Sequence, residues 1–264
     1  MIHSTAIIHP KAKLGSGVRI GPCAVIDEGV ELGADCEVGP HVYITGFTKI
    51  GSHNKFHAGC VIGDAPQDLK YKNTPTRLSI GDHNVFREHS TAHRSTSPEG
   101  TTVIGSHNFF MACTHVGHNS VVGNHVIMAN GALLAGHVAV QDRVFISGNC
   151  AVHQFCRIGT MVMMQGGSFV SQDVPPFTVV ENGVNTICGL NAVGLRRAGF
   201  SAEQRLELKR LYQALFRSGK NLRAAVAEAQ RVFTSPAAET MLEFLAGAKR
   251  GVCSDTNTRH HEEE

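Results

Sequence analysis

The chain has 264 residues, enough for one large or two modest domains. Its 24 basic and 22 acidic groups nearly cancel, which excludes the polyelectrolyte character of a nucleic-acid-binding protein. No run of about 18 apolar residues occurs, and MIHSTAIIHP lacks a basic patch followed by an apolar run, so neither a membrane span nor a secretory signal is expected and the default location is cytoplasmic.

From Ile2 to Val170 every sixth residue is Ile, Leu, Val, Met or Phe, and only Asp68, Thr74, Ala92 and Pro98 break the series. Helices repeat near 3.6 and strands at 2, so a fixed period of six predicts a coil of hexapeptides. Four residues after many series members stands a small side chain, as in Ala24, Val30, Val126 and Ala132. Large and small positions alternate on one side of each strand and together fill a narrow core. Cys36, Cys60, Cys150 and Cys156 occupy the small slot, so they read as small buried hydrophobes. The position after a series member is often Gly (Gly15, Gly33, Gly105, Gly123), which suggests a corner with unusual dihedrals. Three hexads per turn give a parallel β-helix of about 18 residues per coil, stacked at about 4.8 Å into a prism roughly 45 Å long. Handedness is not derivable from the period.

The coil is expected over 1–181, with loops at 64–78 and 94–102, where polar, Pro-containing sequence replaces hexads. Loops leaving one face of a solenoid often carry function. After QDVPPFTVV a helical C-terminal domain is expected over 182–251. Ser201-Ala-Glu-Gln204 reads as a capping box opening a helix to about Arg217, with Gly219 as its stop. A second helix fits about 222–233, and Ser235-Pro236 opens a third that ends near Gly251. The polar tail 252–264 is expected to be disordered. Between Gly194 and Arg223 eight Arg or Lys face two Glu, either a solvated helical face or a dock for an acidic partner.

Two groups stand out among the sixteen histidines. His53, His83, His89, His107 and His125 follow series members by three and read as surface turn residues. His118, His137 and His153 recur about one coil apart near one corner, with His115 upstream, and none takes an inward slot. Outward imidazoles on a convex face make no pocket alone, so a second wall from a symmetric neighbour is expected. Such a cluster could take a proton from a hydroxyl or bind Zn²⁺.

QDLKY (67–71), AHR (92–94), HVGH (115–118), LAGHV (134–138), AVHQFC (151–156), QDVPP (172–176) and GLRRAGF (194–200) follow one another along this coil. In that order they resemble the UDP-N-acetylglucosamine O-acyltransferase family of lipid A biosynthesis, over about residues 1–250. The resemblance implies a left-handed parallel β-helix with a small helical C-terminal domain and a homotrimer with sites between subunits. It implies transfer of an (R)-3-hydroxyacyl group from acyl carrier protein to the sugar 3-hydroxyl, with no cofactor and no metal. His118 would be the general base, and the Gly136 N–H would hold the oxyanion. Gln67, Asp68, Lys70, His115 and His137 would position sugar and acyl group; His93, His153, Gln154, Asn191 and Arg197 would lie along the nucleotide and pantetheine path. Gly166 matches the position that limits acyl length.

Asn119 stands where the family usually has Asp, and Val193 and Ala198 replace polar or basic residues, which leaves a 3-amino sugar nucleotide open as acceptor. The sister N-acyltransferase is disfavoured because its N-terminal uridine-binding domain has no counterpart here. Three rivals remain: a γ-class carbonic anhydrase-like metalloenzyme, an acetyl-CoA-dependent sugar O-acetyltransferase, and a non-enzymatic scaffold. The first spaces its paired histidines H-x4-H, unlike His115-x-x-His118; the second leaves QDLKY and the basic segment unexplained; the third predicts that His118 is dispensable.

Overall fold

A computed structural model describes residues 1–256. Short parallel strands, mostly two residues each, wind into a left-handed three-sided β-helix. Face one has nine strands, from Ile7–Ile8 to Phe169–Val170; face two has eight, from Lys13–Leu14 to Arg157–Ile158. Face three has eleven, beginning at Arg19–Ile20 and ending in Thr178–Val180, Thr186–Leu190 and Ser254–Asp255. Strands pair one coil apart, as Val121 with Ala139 and Phe145 with Met163. The two excursions stretch that interval: Val61 pairs with Thr91 and Arg77 with Thr101.

The six-residue series is the core. From Ile20 to Val170 its aliphatic and aromatic members are buried, and Ala92, a break in size, still points inward. Phe56, Phe86 and Phe110 stack along the axis at 5.0 and 4.6 Å between ring centroids. The four cysteines of the small slot are fully buried. Desolvation holds their thiols protonated, pushing Cys60 up to about 12 and Cys156 to about 11.

Glycine serves the corners differently from the expectation. Gly33 and Gly105 do not have positive φ. A Cβ at Gly33 would lie 2.5 Å from the carbonyl carbon of Gly51, and one at Gly105 would lie 2.6 Å from the oxygen of Gly123. Close approach of successive coils is what excludes a side chain there. The left-handed residue comes two positions later and is usually Asn, Asp, His or Cys; His53, His83, His107 and His125 all have φ between 56 and 61°. Their rings stack along the outside of one corner at 4.7, 4.9 and 5.0 Å. Behind them Asn54, Asn84 and Asn108 are buried, each side-chain oxygen accepting from the backbone N–H one coil on.

The C-terminal segment folds back on the end of the prism. A helix that the pattern did not reveal, α1 (Ala192–Arg197), is capped by Asn191. The capping box at Ser201–Gln204 forms and opens α2 (Ala202–Phe216). α3 (Leu222–Ala229) and α4 (Pro236–Ala246) are shorter than expected; α4 ends at Ala246, capped by Gly247, rather than near Gly251. The expected disorder of the tail does not hold for 252–255. Ser254–Asp255 pairs with Thr186–Ile187, and buried Asp255 accepts from Tyr212 Oη and from Arg217 Nη2 at 3.1 Å. That contact compensates the charge. Residues 257–264 lie outside the described residues. Among the described residues no helix is long and apolar enough to cross a membrane.

Candidate active site

His115 lies on the outward side of the strand His115–Val116 of face one, and its Nδ1 is 2.7 Å from Thr91 Oγ1 on the coil below. His93 ends the strand Thr91–His93, and its ring meets that of His115 edge-on at 4.8 Å. The chain then turns the corner toward face two and places His118 there. Gly136 follows one coil later at the same corner, and the His118 ring lies against it. A Cβ on Gly136 would fall 2.4 Å from Cε1 and 2.6 Å from Nε2. His137 meets the His118 ring edge-on at 5.3 Å and stacks on Phe155 at 4.7 Å.

Only 9% of His118 and 7% of His93 remain exposed. A groove of about 760 Å³ runs over face one, lined by Gln67, His93, His115, His118, Gly136, His153 and Gln154 among others. The expectation that a single chain forms no pocket is therefore not met: the 64–78 excursion brings Gln67 over the face and supplies part of a wall. Beyond the histidines the groove floor turns apolar, with Leu133, Ala151, Phe169 and Val184. One end suits a polar headgroup and the other a hydrocarbon. The sequence held a signal for this floor, because residues just before series members point outward, and at 133, 151 and 169 they are apolar.

The excursions are fastened to one another. Arg94 Nη1 donates to the Gly63 carbonyl at 2.8 Å, and its Nη2 donates to Tyr71 Oη at 3.3 Å. Asp68 and Lys70 sit on the same loop, where Asp68 Oδ1 accepts from the Lys70 N–H at 2.8 Å. Neither lines the groove; the field of Asp68 reaches His137 and partly opposes the burial that lowers that imidazole's proton affinity. His153 is exposed and within 3.3 Å of the Gln154 carbonyl oxygen. Gly166 sits at the corner between faces three and one, and a Cβ there would meet only the Gly148 oxygen, at 3.5 Å. Asn191 and Arg197 are not brought to this groove. Asn191 Nδ2 donates to the Met161 carbonyl at 2.9 Å, and Arg197 closes α1.

The imidazoles around His118 are held neutral. Burial lowers His93, and it lowers His115 to about 4, with His93 and His118 adding to the effect. His118 Nδ1 lies 2.9 Å from Asn119 Oδ1. The same oxygen accepts the backbone N–H of Thr96 at 3.0 Å. A backbone N–H can only donate, so that atom is the amide oxygen, and Nδ1 must carry the ring proton. Nε2 is then the basic nitrogen, on the side facing Gly136. The Gly136 N–H itself donates to no acceptor among the described residues. A proton acceptor and an uncommitted backbone donor thus stand side by side at the mouth of a half-polar, half-apolar groove.

Known proteins resemble the chain over nearly its whole length. Residues 173–253 match the model described as Udp N-acetylglucosamine O-acyltransferase, Domain 2, and residues 29–64 match the bacterial transferase hexapeptide (six repeats). The acyl-[acyl-carrier-protein]–UDP-N-acetylglucosamine O-acyltransferase of Thermodesulfovibrio yellowstonii is 46% identical over 254 residues, 96% of this chain and 98% of the relative. The enzyme of the same name from Thiobacillus denitrificans is 46% identical over 95% of this chain and 98% of its own. The UDP-N-acetylglucosamine acyltransferase structure from Francisella novicida superposes with a TM-score of 0.94 at 35% identity, covering 98% of this chain and 96% of that one. By the length of these matches, the chain belongs to the acyl-[acyl-carrier-protein]–UDP-N-acetylglucosamine O-acyltransferase family.

Proposed function

We propose that the protein transfers an (R)-3-hydroxyacyl group from acyl carrier protein to the 3-hydroxyl of UDP-N-acetylglucosamine, the first step of lipid A biosynthesis, in the cytoplasm. The observation that carries the chemistry is the packing of His118 against Gly136. His118 Nε2 takes the proton from the sugar 3-hydroxyl as its oxygen attacks the thioester carbonyl carbon. The tetrahedral oxyanion accepts from the Gly136 N–H, a contact worth about 3 kcal/mol where such donors have been removed elsewhere. Collapse breaks the carbon–sulfur bond, and the imidazolium returns its proton to the pantetheine thiolate. Gln67, Asp68, Lys70, His115 and His137 position sugar and acyl group, and His93, His153 and Gln154 lie along the path of the nucleotide and the pantetheine arm.

The working unit is a homotrimer. Half-buried Val85, Phe109, Ile127, Phe145 and Met163 form an apolar outward column on face three, suited to a second copy. A neighbour would close the groove and bring Asn191 and Arg197, which lie away from it within one chain. The test is mass spectrometry of products from purified protein offered UDP-N-acetylglucosamine and a panel of 3-hydroxyacyl carrier-protein donors. A 3-O-acylated sugar nucleotide is expected, and His118→Ala should form almost none. Unchanged turnover by that variant would reject the assignment of the base.

A further inference from the structure

The 94–102 excursion reaches the reacting corner without lining the groove. Asn119 has φ +60°, and its side chain is gripped from every polar atom. Its Oδ1 accepts from Thr96 N–H at 3.0 Å, from Thr96 Oγ1–H at 2.9 Å and from His118 Nδ1–H at 2.9 Å. Its Nδ2 donates to Ser95 Oγ at 3.0 Å, and its backbone N–H donates to Thr102 Oγ1 at 2.7 Å. Ser95 and Thr102 are fully buried. Gly100 keeps the cradle open, since a Cβ there would lie 2.6 Å from Ser95 Oγ and 2.8 Å from Asn119 Nδ2. The amide therefore cannot turn over without breaking several bonds at once.

We propose that the 94–102 excursion is a positioning element for the catalytic base: Ser95 and Thr96 lock the Asn119 amide, and Asn119 fixes His118 in its Nδ1–H tautomer without lending it negative charge. This rests on the reading of His118 as the base. The adjoining residue, Arg94, clasps Gly63 and Tyr71, so one short segment fastens both the imidazole and the loop bearing Asp68 and Lys70. An amide oxygen orients a ring as a carboxylate would, but does not stabilise the imidazolium to the same degree. The other titratable or charged groups facing the ring are His93, His115 and His137, all held toward the neutral form by burial, with Asp68 and Arg94 farther out.

The experiment compares the parent protein with Asn119→Asp, Thr96→Val and Asn119→Leu. In Asn119→Asp the acceptor geometry survives and a charge is added, so the acidic limb of the kcat/KM profile should move up by about one pH unit. Thr96→Val should lower kcat several-fold with KM unchanged, and Asn119→Leu should lower it by about 10²-fold. Nitrogen NMR of the parent should show His118 protonated at Nδ1, and Asn119→Leu should show mixed tautomers. Melting curves identify any variant that fails to fold; the parent spectrum and Thr96→Val then decide. An Nε2-protonated parent, or an unmoved profile in Asn119→Asp together with unchanged kcat in Thr96→Val, would overturn the inference. If His118→Ala is inactive while these results come out unaltered, only the positioning role falls. If His118→Ala turns over normally, the base assignment falls first.

Discussion

Two glycines lacking a side chain for opposite reasons give the sharpest tests at the level of single residues. At Gly136 the space for a Cβ is filled by the His118 ring, 2.4 Å away at its nearest atom. Gly136→Ala must push the imidazole off its position, and misplacement of about 1 Å costs on the order of 10²-fold in rate. A fall of that size in kcat/KM with little change in melting temperature is expected. At Gly166 the space is empty apart from one carbonyl oxygen at 3.5 Å. Gly166→Met should therefore fold; Gly166 does not itself line the groove, so the variant tests whether the acyl chain runs from the apolar floor to this corner. The expected result is a shift of the preferred donor to shorter acyl chains, read by mass spectrometry of products from a mixed donor pool; an unaltered chain-length profile would contradict it.

Helix α2 and its C-cap carry basic residues of two kinds. Arg217 is committed to the molecule, donating to buried Asp255 and lying over the Tyr212 ring at 5.4 Å. Arg210 is exposed. Charge reversal at Arg217 would set an acid beside Asp255 and test stability more than recruitment. Arg210→Glu is the cleaner probe: if α2 docks the acidic carrier protein, KM for carrier-bound donor should rise several-fold at low salt, with the effect fading as ionic strength rises. No change at low salt would refute the dock. α2 was legible because its start is written locally, in Ser201 and Gln204, and α4 because Pro236 follows Ser235. α1 was not: six residues held by one Asn cap leave no periodic trace. The order of 254–255 was equally hidden, since a polar tail looks solvated until a distant Tyr and Arg are known to meet its Asp.

Across the whole molecule, periodicity marks which residues point inward, and therefore the coil and its core. It could not tell what the outward residues meet. His115 and His118 are clustered as their spacing implies, with His93 an addition that the spacing did not reveal, but they do not lie on an open convex face, because the excursions that cover them obey no period. That cover sets an acid limit on the fold. His115 stays neutral down to about 4, whereas the unfolded chain protonates the same ring near 6.5. As pH falls through that window the unfolded state gains a proton that the native state refuses, so stability declines; above it the group contributes no pH dependence. The difference, 6.5 minus 4, corresponds to roughly 3 kcal/mol at most, and His93 and His137, displaced in the same direction, act in the same sense. Calorimetry at pH 7 and pH 4.5 should show the parent losing stability over this interval. His115→Gln, which keeps a polar group within reach of Thr91, should lose markedly less. Equal losses in the two proteins would mean that the ring is not sheltered from protons in the native state, and the cover inferred for this end of the groove would have to be abandoned.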